Sequence, residues 1–264
     1  MKNLSTMSLS QVQQIKYILT DIDDTLTSNG MLKSNAYASM EKLSNEGYII
    51  IPVTGRCAGW CDHIARMWPV GGVVGENGAF FFSYDHASKK MNNVYSQTVN
   101  EREKNFALLK QLKNKILNQV PGTAEASDQE YRITDLAIDF AEDVPKLSEN
   151  KINEIVQIAE QNGAIAKVSS IHVNCWIGTH NKLTTSLKML KQNFGLSDNE
   201  IQNNVVFIGD SPNDSTMFGF FKNSVGVANV VDLISSIENP PKYITSNFSG
   251  DGFVELADFI INNK

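Results

Sequence analysis

Residues 19–26, which read LTDIDDTL, place Asp21, Asp23 and Asp24 within four consecutive positions. The aspartates follow directly on the apolar residues 17–19, which have the composition of a buried strand. Because like charges at this spacing repel, the cluster needs a cation or several hydrogen-bond donors to be stable. Two carboxylates in different environments can act as nucleophile and general acid–base, but an isolated pair is also common in turns and helix caps. The remaining motifs of the sequence distinguish a catalytic pair from a turn or helix cap.

Two other apolar runs also end in polar residues. Residues 48–53 are followed by Thr-Gly-Arg at 54–56, and residues 205–208 are followed by Gly-Asp at 209–210. Continuous β-branched runs with helical segments between them indicate strands buried on both faces of a parallel sheet. Ligands of such sheets bind outside the carboxyl ends of the strands. If these strands are neighbours, one crevice receives five polar side chains: Asp21, Asp23, Thr54, Asp210 and Asp214.

The carboxylates in this predicted crevice repel one another unless a cation lies among them. Carboxylate oxygens suit a hard divalent ion, and Mg²⁺ is typically held by one or two carboxylates together with waters and substrate phosphate. We therefore predict a Mg²⁺ site, with Asp21, Asp23, Asp210 and Asp214 as its candidate ligands. Such an ion would also allow an acidic protein to bind an anionic small molecule.

The two ends of the chain have the pattern of one parallel α/β domain. A strand, a helix within residues 34–47 and a second strand form a βαβ unit near the start. Further helices are predicted at 182–194 and 211–221, with short strands at 205–208 and 225–229. The fold class predicted for this part is a doubly covered parallel sheet.

The middle of the chain has a different pattern. Asn-Gly at 77–78 lies between apolar segments and is a strong hairpin signal. Helices are predicted at 101–118 and 147–162, and ITDLAIDF at 133–140 alternates like a half-exposed strand. The sequence thus predicts an α+β module inserted into the α/β domain. The predicted boundaries are 1–84 and 178–264 for the discontinuous core domain and 85–177 for the insertion.

The overall composition excludes several classes of partner. A net charge of −6 argues against nucleic acid or an anionic membrane as the main partner, since both select basic surfaces. No apolar run approaches the roughly 18 residues of a membrane span, and the polar start of the chain does not read as a signal peptide. Three cysteines, an odd number, predict a reducing compartment and hence the cytoplasm. The oligomeric state stays open.

Four motifs, in this order along the chain, resemble those of the haloacid dehalogenase-like (HAD) hydrolase superfamily. Residues 21–26, DIDDTL, look like its DxDxT signature, VTGR at 53–56 resembles the second motif, Lys182 the third and GDSPND at 209–214 the fourth. The insertion between motifs two and three resembles the large α+β, or C2-type, cap of subfamily IIB. That branch includes Cof-type sugar-phosphate phosphatases, sucrose- and trehalose-phosphate phosphatases and phosphomannomutases. The resemblance implies a Rossmann-like core with an inserted cap.

The resemblance also implies roles for individual residues. Asp21 would be the nucleophile that forms an aspartyl-phosphate, and Asp23 the general acid–base. Mg²⁺ would bind the Asp21 side chain, the Asp23 backbone carbonyl and Asp210, while Asp214 would orient Lys182 or support the ion. The groups expected to bind the phosphate are Thr54, Gly55, Arg56, Lys182 and Asn213.

Two residues fit the family pattern less well. Asp24 stands where many relatives carry glycine, so no direct role is assigned to it. The family usually has glycine after the motif-three lysine, whereas Leu183 follows Lys182 here, and Lys188 is the second candidate. Another constellation, Cys57, Cys61 and His63, lacks a second ligand pair at zinc-like spacing and is predicted to place its cysteines in the core.

In this branch of the family the cap contacts the leaving group of the substrate and selects it. By position, the cap residues expected to face it are Arg132, His172, Asn174 and Trp176. The resulting hypothesis is a Mg²⁺-dependent phosphatase of a small phosphorylated metabolite, with a sugar phosphate favoured by the family. The alternatives are a phosphosugar mutase on the same fold and, from another class, a phosphoaccepting or phosphometabolite-binding regulatory protein without turnover.

Overall fold

The computed structural model describes residues 1–264. Its strands are β1 (Lys2–Asn3), β2 (Tyr17–Thr20), β3 (Ile49–Pro52), β4 (Val73–Gly75), β5 (Phe80–Asp85), β6 (Lys90–Tyr95), β7 (Ala124–Glu125), β8 (Leu136–Asp139), β9 (Ile165–Val168), β10 (His172–Trp176), β11 (Val205–Gly209), β12 (Asn223–Gly226) and β13 (Tyr243–Ile244). Its α-helices are α1 (Leu9–Val12), α2 (Ser34–Asn45), α3 (Ala58–Met67), α4 (Val99–Gln119), α5 (Glu149–Gln161), α6 (Lys182–Phe194), α7 (Asp198–Asn204), α8 (Ser215–Phe220) and α9 (Ser249–Asn262). None of these helices is long and apolar enough to cross a membrane.

The core domain is built on a parallel sheet of six strands in the order β1-β13-β12-β11-β2-β3. The neighbours Ile18 and Leu19 on β2 belong to two different apolar clusters, one on each side of the sheet. This explains why the strand sequences are apolar at nearly every position. Thr20 at the end of β2 pairs with Ile208 on β11 and Pro52 on β3. The three predicted strand ends therefore meet at one edge, and the α/β fold is confirmed.

A second, antiparallel sheet in the order β4-β5-β6 extends the core. The predicted hairpin at Asn77-Gly78 is confirmed, since both residues have positive φ angles, 54° and 101°, between β4 and β5. Gly78 is required because a Cβ there would lie 2.1 Å from the backbone oxygen of Asn181. Phe80 and Phe82 pack in a core cluster, and Tyr95 of β6 packs against it. We therefore propose that the cap begins after β6, later than the predicted boundary at residue 85.

The cap consists of a four-stranded antiparallel sheet, β7-β8-β10-β9, with α4 and α5 packed on one face. A separate apolar cluster forms between them, with Leu112 and Ile116 from α4 and Ile155 from α5 among its members. The predicted cap helices are thus present. The expectation that residues 133–140 form a half-exposed strand is wrong, because every residue of β8 is buried. On the polar face of this strand, the Asp139 carboxylate accepts from the backbone N–H groups of Ala141, Glu142 and Asp143 at 2.8–2.9 Å instead of facing water.

Candidate active site

Asp21 is the first residue after β2, at the carboxyl edge of the parallel sheet. Its backbone N–H donates to the Ile208 carbonyl at 3.0 Å, which extends the pairing of β2 with β11 by one residue. The buried side chain accepts from the Ile22 N–H at 2.8 Å through Oδ1, and its Oδ2 lies 3.1 Å from Nζ of Lys182. The carboxylate is therefore held in one orientation inside the crevice.

Lys182 comes to Asp21 from the first turn of α6. The helix begins there because Asn181 caps it, its side chain accepting from the Thr184 N–H at 2.9 Å. The buried ammonium lies 2.8 Å from Oδ1 of Asp214 as well as near Asp21. Burial alone would lower the pKa of Lys182, but these two carboxylates outweigh it and raise the pKa, so the lysine is charged. The structure thus brings Lys182 to the acidic cluster, whereas no ion pair joins Lys188 to it.

Asp214 has both carboxylate oxygens engaged by protein donors. Oδ1 contacts Lys182, and Oδ2 accepts from the backbone N–H groups of Asp210 at 3.1 Å and Ser211 at 3.3 Å. This approach needs Gly209, since a Cβ there would lie 2.4 Å from Oδ2. Of the two roles left open by the sequence, the contacts favour the one in which Asp214 orients Lys182.

Asp210 is different, because only Thr25 donates to its carboxylate, to Oδ1 at 3.1 Å. Burial raises the pKa of Asp210 well above its usual value, and the charges of Asp21 and Asp214 add to the effect. Burial also raises the pKa of Asp21 to about 7, with Lys182 opposing the shift and Asp214 adding to it. Three buried carboxyl groups therefore share one buried ammonium group, and a further cation is needed to stabilise all three in their ionised forms.

The three carboxylates offer a site for a metal ion. One oxygen each from Asp21, Asp210 and Asp214 lie within 4.8 Å of one another, and all three residues are buried. Hard carboxylate oxygens that repel one another fit a divalent cation such as Mg²⁺. The side chain of Asp23, the fourth predicted ligand, is not in this group because it is turned towards Arg56. The backbone carbonyl of Asp23 therefore stays a predicted ligand, whereas its side chain does not.

Asp23 and Arg56 form a close ion pair at the mouth of the crevice. Nε and Nη2 of the guanidinium lie 3.0 and 2.9 Å from the two oxygens of the Asp23 carboxylate. Arg56 is positioned by the turn after β3, where its backbone N–H donates to the Thr54 hydroxyl at 3.0 Å. Its guanidinium also lies over the ring of Trp60, 4.4 Å from the centroid. The guanidinium of Arg56 thus faces Asp23, while the ammonium of Lys182 faces Asp21 and Asp214.

The cap and the core enclose a small polar cleft above these residues. Only one of its eleven lining residues is hydrophobic. The predicted site residues that line it are Asp21, Asp23, Gly55, Arg56, His172, Asn174 and Asn213. Ser169, Ser170, Ile171 and Ser211 complete the lining and were missed by the sequence analysis, since serine-rich loops carry no distinctive pattern. The lining of the cleft therefore suits hydrophilic groups of a ligand.

Two predicted cap residues do not face this cleft. The Arg132 side chain is fully buried, paired with Asp128 at 3.0 Å and Asp135 at 2.9 Å, and it donates to the Gly55 carbonyl at 2.9 Å. We correct its assignment from substrate binding to holding the cap on the core, because these acceptors occupy its guanidinium. Trp176 is also buried and donates to the His180 carbonyl at 3.0 Å.

His172 and Asn174 of β10 lie at the cleft, and each has an acidic partner. Asn174 donates to Asp135 at 3.3 Å, and His172 Nε2 lies 2.9 Å from Oε2 of Glu142. Glu142 was missed by the sequence analysis, although it also contacts Arg56 at 2.9 Å. Its contact with His172, followed by the charge of Arg56, lowers the pKa of Glu142 to about 2. The glutamate is therefore ionised at neutral pH.

A second missed residue, Glu76, joins the cap to the core. It is fully buried, and its carboxylate accepts from the backbone N–H groups of Ala58, Ile133 and Thr134 at 2.7–3.0 Å and from the Thr134 hydroxyl. Ala58 belongs to the core and the other two residues to the cap. No pattern around residue 76 signals this role, since its partners are distant in sequence.

The cysteines of the RCAGWCDH segment are core residues, as predicted. Cys57 and Cys61 are buried at the start of α3, and burial raises the pKa of the Cys57 thiol to about 11. His63 is not part of any group of side chains that could hold a metal ion. The segment therefore supports the second motif instead of forming a site of its own.

Comparison with known proteins shows the family of the chain. Residues 18–255 match the family of haloacid dehalogenase-like hydrolases, and the chain belongs to that family. Over 256 residues it is 29% identical to a phosphoglycolate phosphatase of Methanosarcina mazei. The aligned region covers 95% of this chain and 98% of that protein.

Solved structures show the same fold. A protein of Thermoplasma acidophilum superimposes with a TM-score of 0.71 at 16% identity, over 94% of this chain and 98% of that one. A sugar phosphatase of HAD subclass IIB superimposes with a TM-score of 0.61 at 13% identity, over 94% of this chain and 100% of that one. The fold is therefore that of subclass IIB, a parallel α/β core with an inserted α+β cap, as the motifs predicted.

Proposed function

We propose that the protein is a Mg²⁺-dependent phosphatase that hydrolyses a small phosphorylated metabolite through an aspartyl-phosphate at Asp21. The observation that carries this proposal is the position of the Asp21 carboxylate, buried at a strand end with Lys182 on one side and Asp210 on the other, at the bottom of a polar cleft. The phosphatase names of the curated relatives support the reaction class.

In the first step, an oxygen of Asp21 attacks phosphorus and the bond from phosphorus to the ester oxygen breaks. Asp23, at the cleft mouth, gives its proton to the departing alkoxide. Lys182 stabilises the negative charge on the phosphoryl oxygens, assisted by Asn213 and the backbone around Thr54. In the second step, Asp23 takes a proton from water as the water oxygen attacks phosphorus, which releases inorganic phosphate and restores Asp21.

Mg²⁺ would be held by the side chains of Asp21 and Asp210 and the backbone carbonyl of Asp23. When bound, it would neutralise the repulsion between the nucleophilic carboxylate and the phosphate. Asp214 would contribute indirectly, because its oxygens already accept from Lys182 and two backbone N–H groups.

For the substrate, we propose a small phosphorylated acid such as 2-phosphoglycolate ahead of the sugar phosphate favoured by the family resemblance. The relatives named phosphoglycolate phosphatase cover nearly the whole chain, and the small cleft is lined almost entirely by polar residues, which suit a short, charged leaving group. A monosaccharide phosphate is the second candidate, because serine and asparagine side chains line the cleft and can hydrogen-bond hydroxyl groups. The three buried free cysteines support our proposal of a cytoplasmic location.

The test is phosphate release by purified protein from 2-phosphoglycolate and a panel of hexose phosphates, with Mg²⁺ and with chelator. We expect turnover that depends on Mg²⁺ and disappears in the Asp21→Asn variant. Isomerised sugar phosphate without net phosphate release would favour the mutase alternative. A stable phosphoprotein without turnover would favour the regulatory alternative, and metal-independent release by the Asp21→Asn variant would contradict the mechanism.

A further inference from the structure

Glu142 is the only cap carboxylate that forms an ion pair with the core residue Arg56. It lies in the polar loop after β8, outside every motif of the sequence. One oxygen, Oε1, lies 2.9 Å from Nη2 of Arg56, and the other, Oε2, lies 2.9 Å from Nε2 of His172. The residue thus connects a cap strand with the guanidinium that faces the proposed general acid.

Arg56 is held from two domains at once. On the core side it pairs with both oxygens of Asp23 and lies over the ring of Trp60. On the cap side Glu142 contacts the same Nη2 atom that contacts Asp23. Because a guanidinium is planar, an ion pair at Nη2 from the cap restricts how the guanidinium can turn while its Nε and Nη2 hold the Asp23 carboxylate.

These side chains are poorly exposed, so their contacts are not loose surface pairs. The exposed fraction of the side chain is 6% for Arg56, 3% for His172 and 28% for Glu142. Pairs that are this well shielded from water are screened less and hold their geometry better than surface ion pairs. The series His172, Glu142, Arg56 and Asp23 exists only where the cap is seated on the core.

We propose that Glu142 is a positioning residue, which acts through Arg56 to place the Asp23 carboxyl group where it can protonate the leaving group once the cap is closed. This inference rests on the proposed function, in which Asp23 is the general acid. It gives the cap a part in the chemical step in addition to enclosing the substrate. Opening of the cap would release Arg56 on one side and loosen the orientation of Asp23.

The test compares two aryl phosphates of similar size, p-nitrophenyl phosphate and phenyl phosphate. The p-nitrophenolate ion leaves readily without a proton, whereas phenolate needs more help from a general acid. We expect Glu142→Gln to lower kcat for phenyl phosphate about tenfold and kcat for p-nitrophenyl phosphate less than about threefold, with little change in KM for either. Arg56→Lys keeps the charge but loses the two-point contact and should show the same selectivity.

The matched control is Glu154→Gln, which removes an exposed carboxylate from α5 on the same domain and should leave all constants unchanged. If Glu142→Gln does not fold, Glu142→Asp, which keeps the charge but shortens the reach, replaces it and should show a smaller selective loss. Equal losses on both substrates, a change confined to KM, or no change would overturn the role of Glu142. The Asp23→Asn variant distinguishes failure of the Glu142 role from failure of the proposed function. If Asp23→Asn shows no selective loss on phenyl phosphate, Asp23 is not the general acid.

Discussion

The two halves of the active site are built differently. On the core side, Asp21 and Asp210 follow neighbouring strands, Lys182 begins a capped helix, and each is held by backbone geometry. On the cap side, His172 and Asn174 lie on a strand, but their contacts are with other side chains, Glu142 and Asp135. The core thus fixes the reacting groups through secondary structure, and the cap adds groups whose positions depend on pairing.

The difference suggests a division of labour. Substitutions on the core side should remove the reaction, because its groups touch the phosphoryl group in the proposed mechanism. Apart from Glu142, which acts on Asp23 through Arg56, substitutions on the cap side should change affinity and leave the chemistry in place. The following experiments test this division, beginning with the largest expected effect.

Asp21→Asn removes the proposed nucleophile and should lower phosphate release more than about 10⁴-fold, as is typical when a nucleophile is lost. The protein should stay folded, because the change removes one of several buried carboxylates that repel one another. Phosphate release and thermal unfolding together check both statements. Near-normal turnover in this variant would contradict the assignment of the reacting groups to the core side.

Lys182→Met should lower kcat by about 10³-fold, since it removes the cation that the mechanism places at the phosphoryl oxygens. It should also destabilise the fold by about 3–5 kcal/mol, because Asp21 and Asp214 would stay buried without their partner. Urea unfolding measures the second effect. Lys188→Met on the same helix is the control and should change neither property.

The Mg²⁺ requirement should depend on pH. The pKa of Asp21 is raised to about 7, so below that pH a proton occupies the carboxylate that the ion needs. Activity at pH 6 should therefore need about tenfold more Mg²⁺ for half-saturation than activity at pH 8. Titrations of activity with Mg²⁺ at the two pH values test this, and an equal requirement at both would contradict competition between a proton and the ion at Asp21.

Asn174→Ala should have the smallest effect, raising KM about three- to tenfold while kcat stays within a factor of about two. The side chain lines the cleft, so its loss removes about one hydrogen bond to the substrate. Asp135, its present partner, keeps its ion pair with Arg132 and should stay stable. Steady-state kinetics on the preferred substrate provide the measurement. A loss confined to kcat would show that the cap side takes part in the chemistry more broadly than Glu142 implies.

Much of the core side could be predicted from the sequence. Apolar runs that end in Asp21, Thr54 and Asp210 indicate parallel strands, and the carboxyl ends of such strands must meet at one edge. The sequence also placed Lys182 correctly, although the residue after it departs from the family pattern. These predictions depend on local pattern and on the order of elements, both of which are carried directly by the chain.

The cap side was predicted less well, for a physical reason. Arg132 was assigned to the substrate, but Asp128, Asp135 and Gly55 occupy its guanidinium. The strand β8 was expected to be half-exposed, but all four of its residues are buried. Both errors concern what surrounds a side chain in the folded protein, which the local pattern of the sequence does not record.

The amino-acid sequence by itself determined the parallel sheet, the inserted module and the order of the acidic groups, because hydrophobic periodicity and chain order act locally. Only the tertiary structure decided that Glu142 reaches Arg56 and that Glu76 holds the cap, since ion pairs and hydrogen bonds between distant segments depend on how the domains are seated. A carboxylate in a polar loop looks the same in sequence whether it meets water or a guanidinium, and the free energy of that contact exists only once the chain has folded.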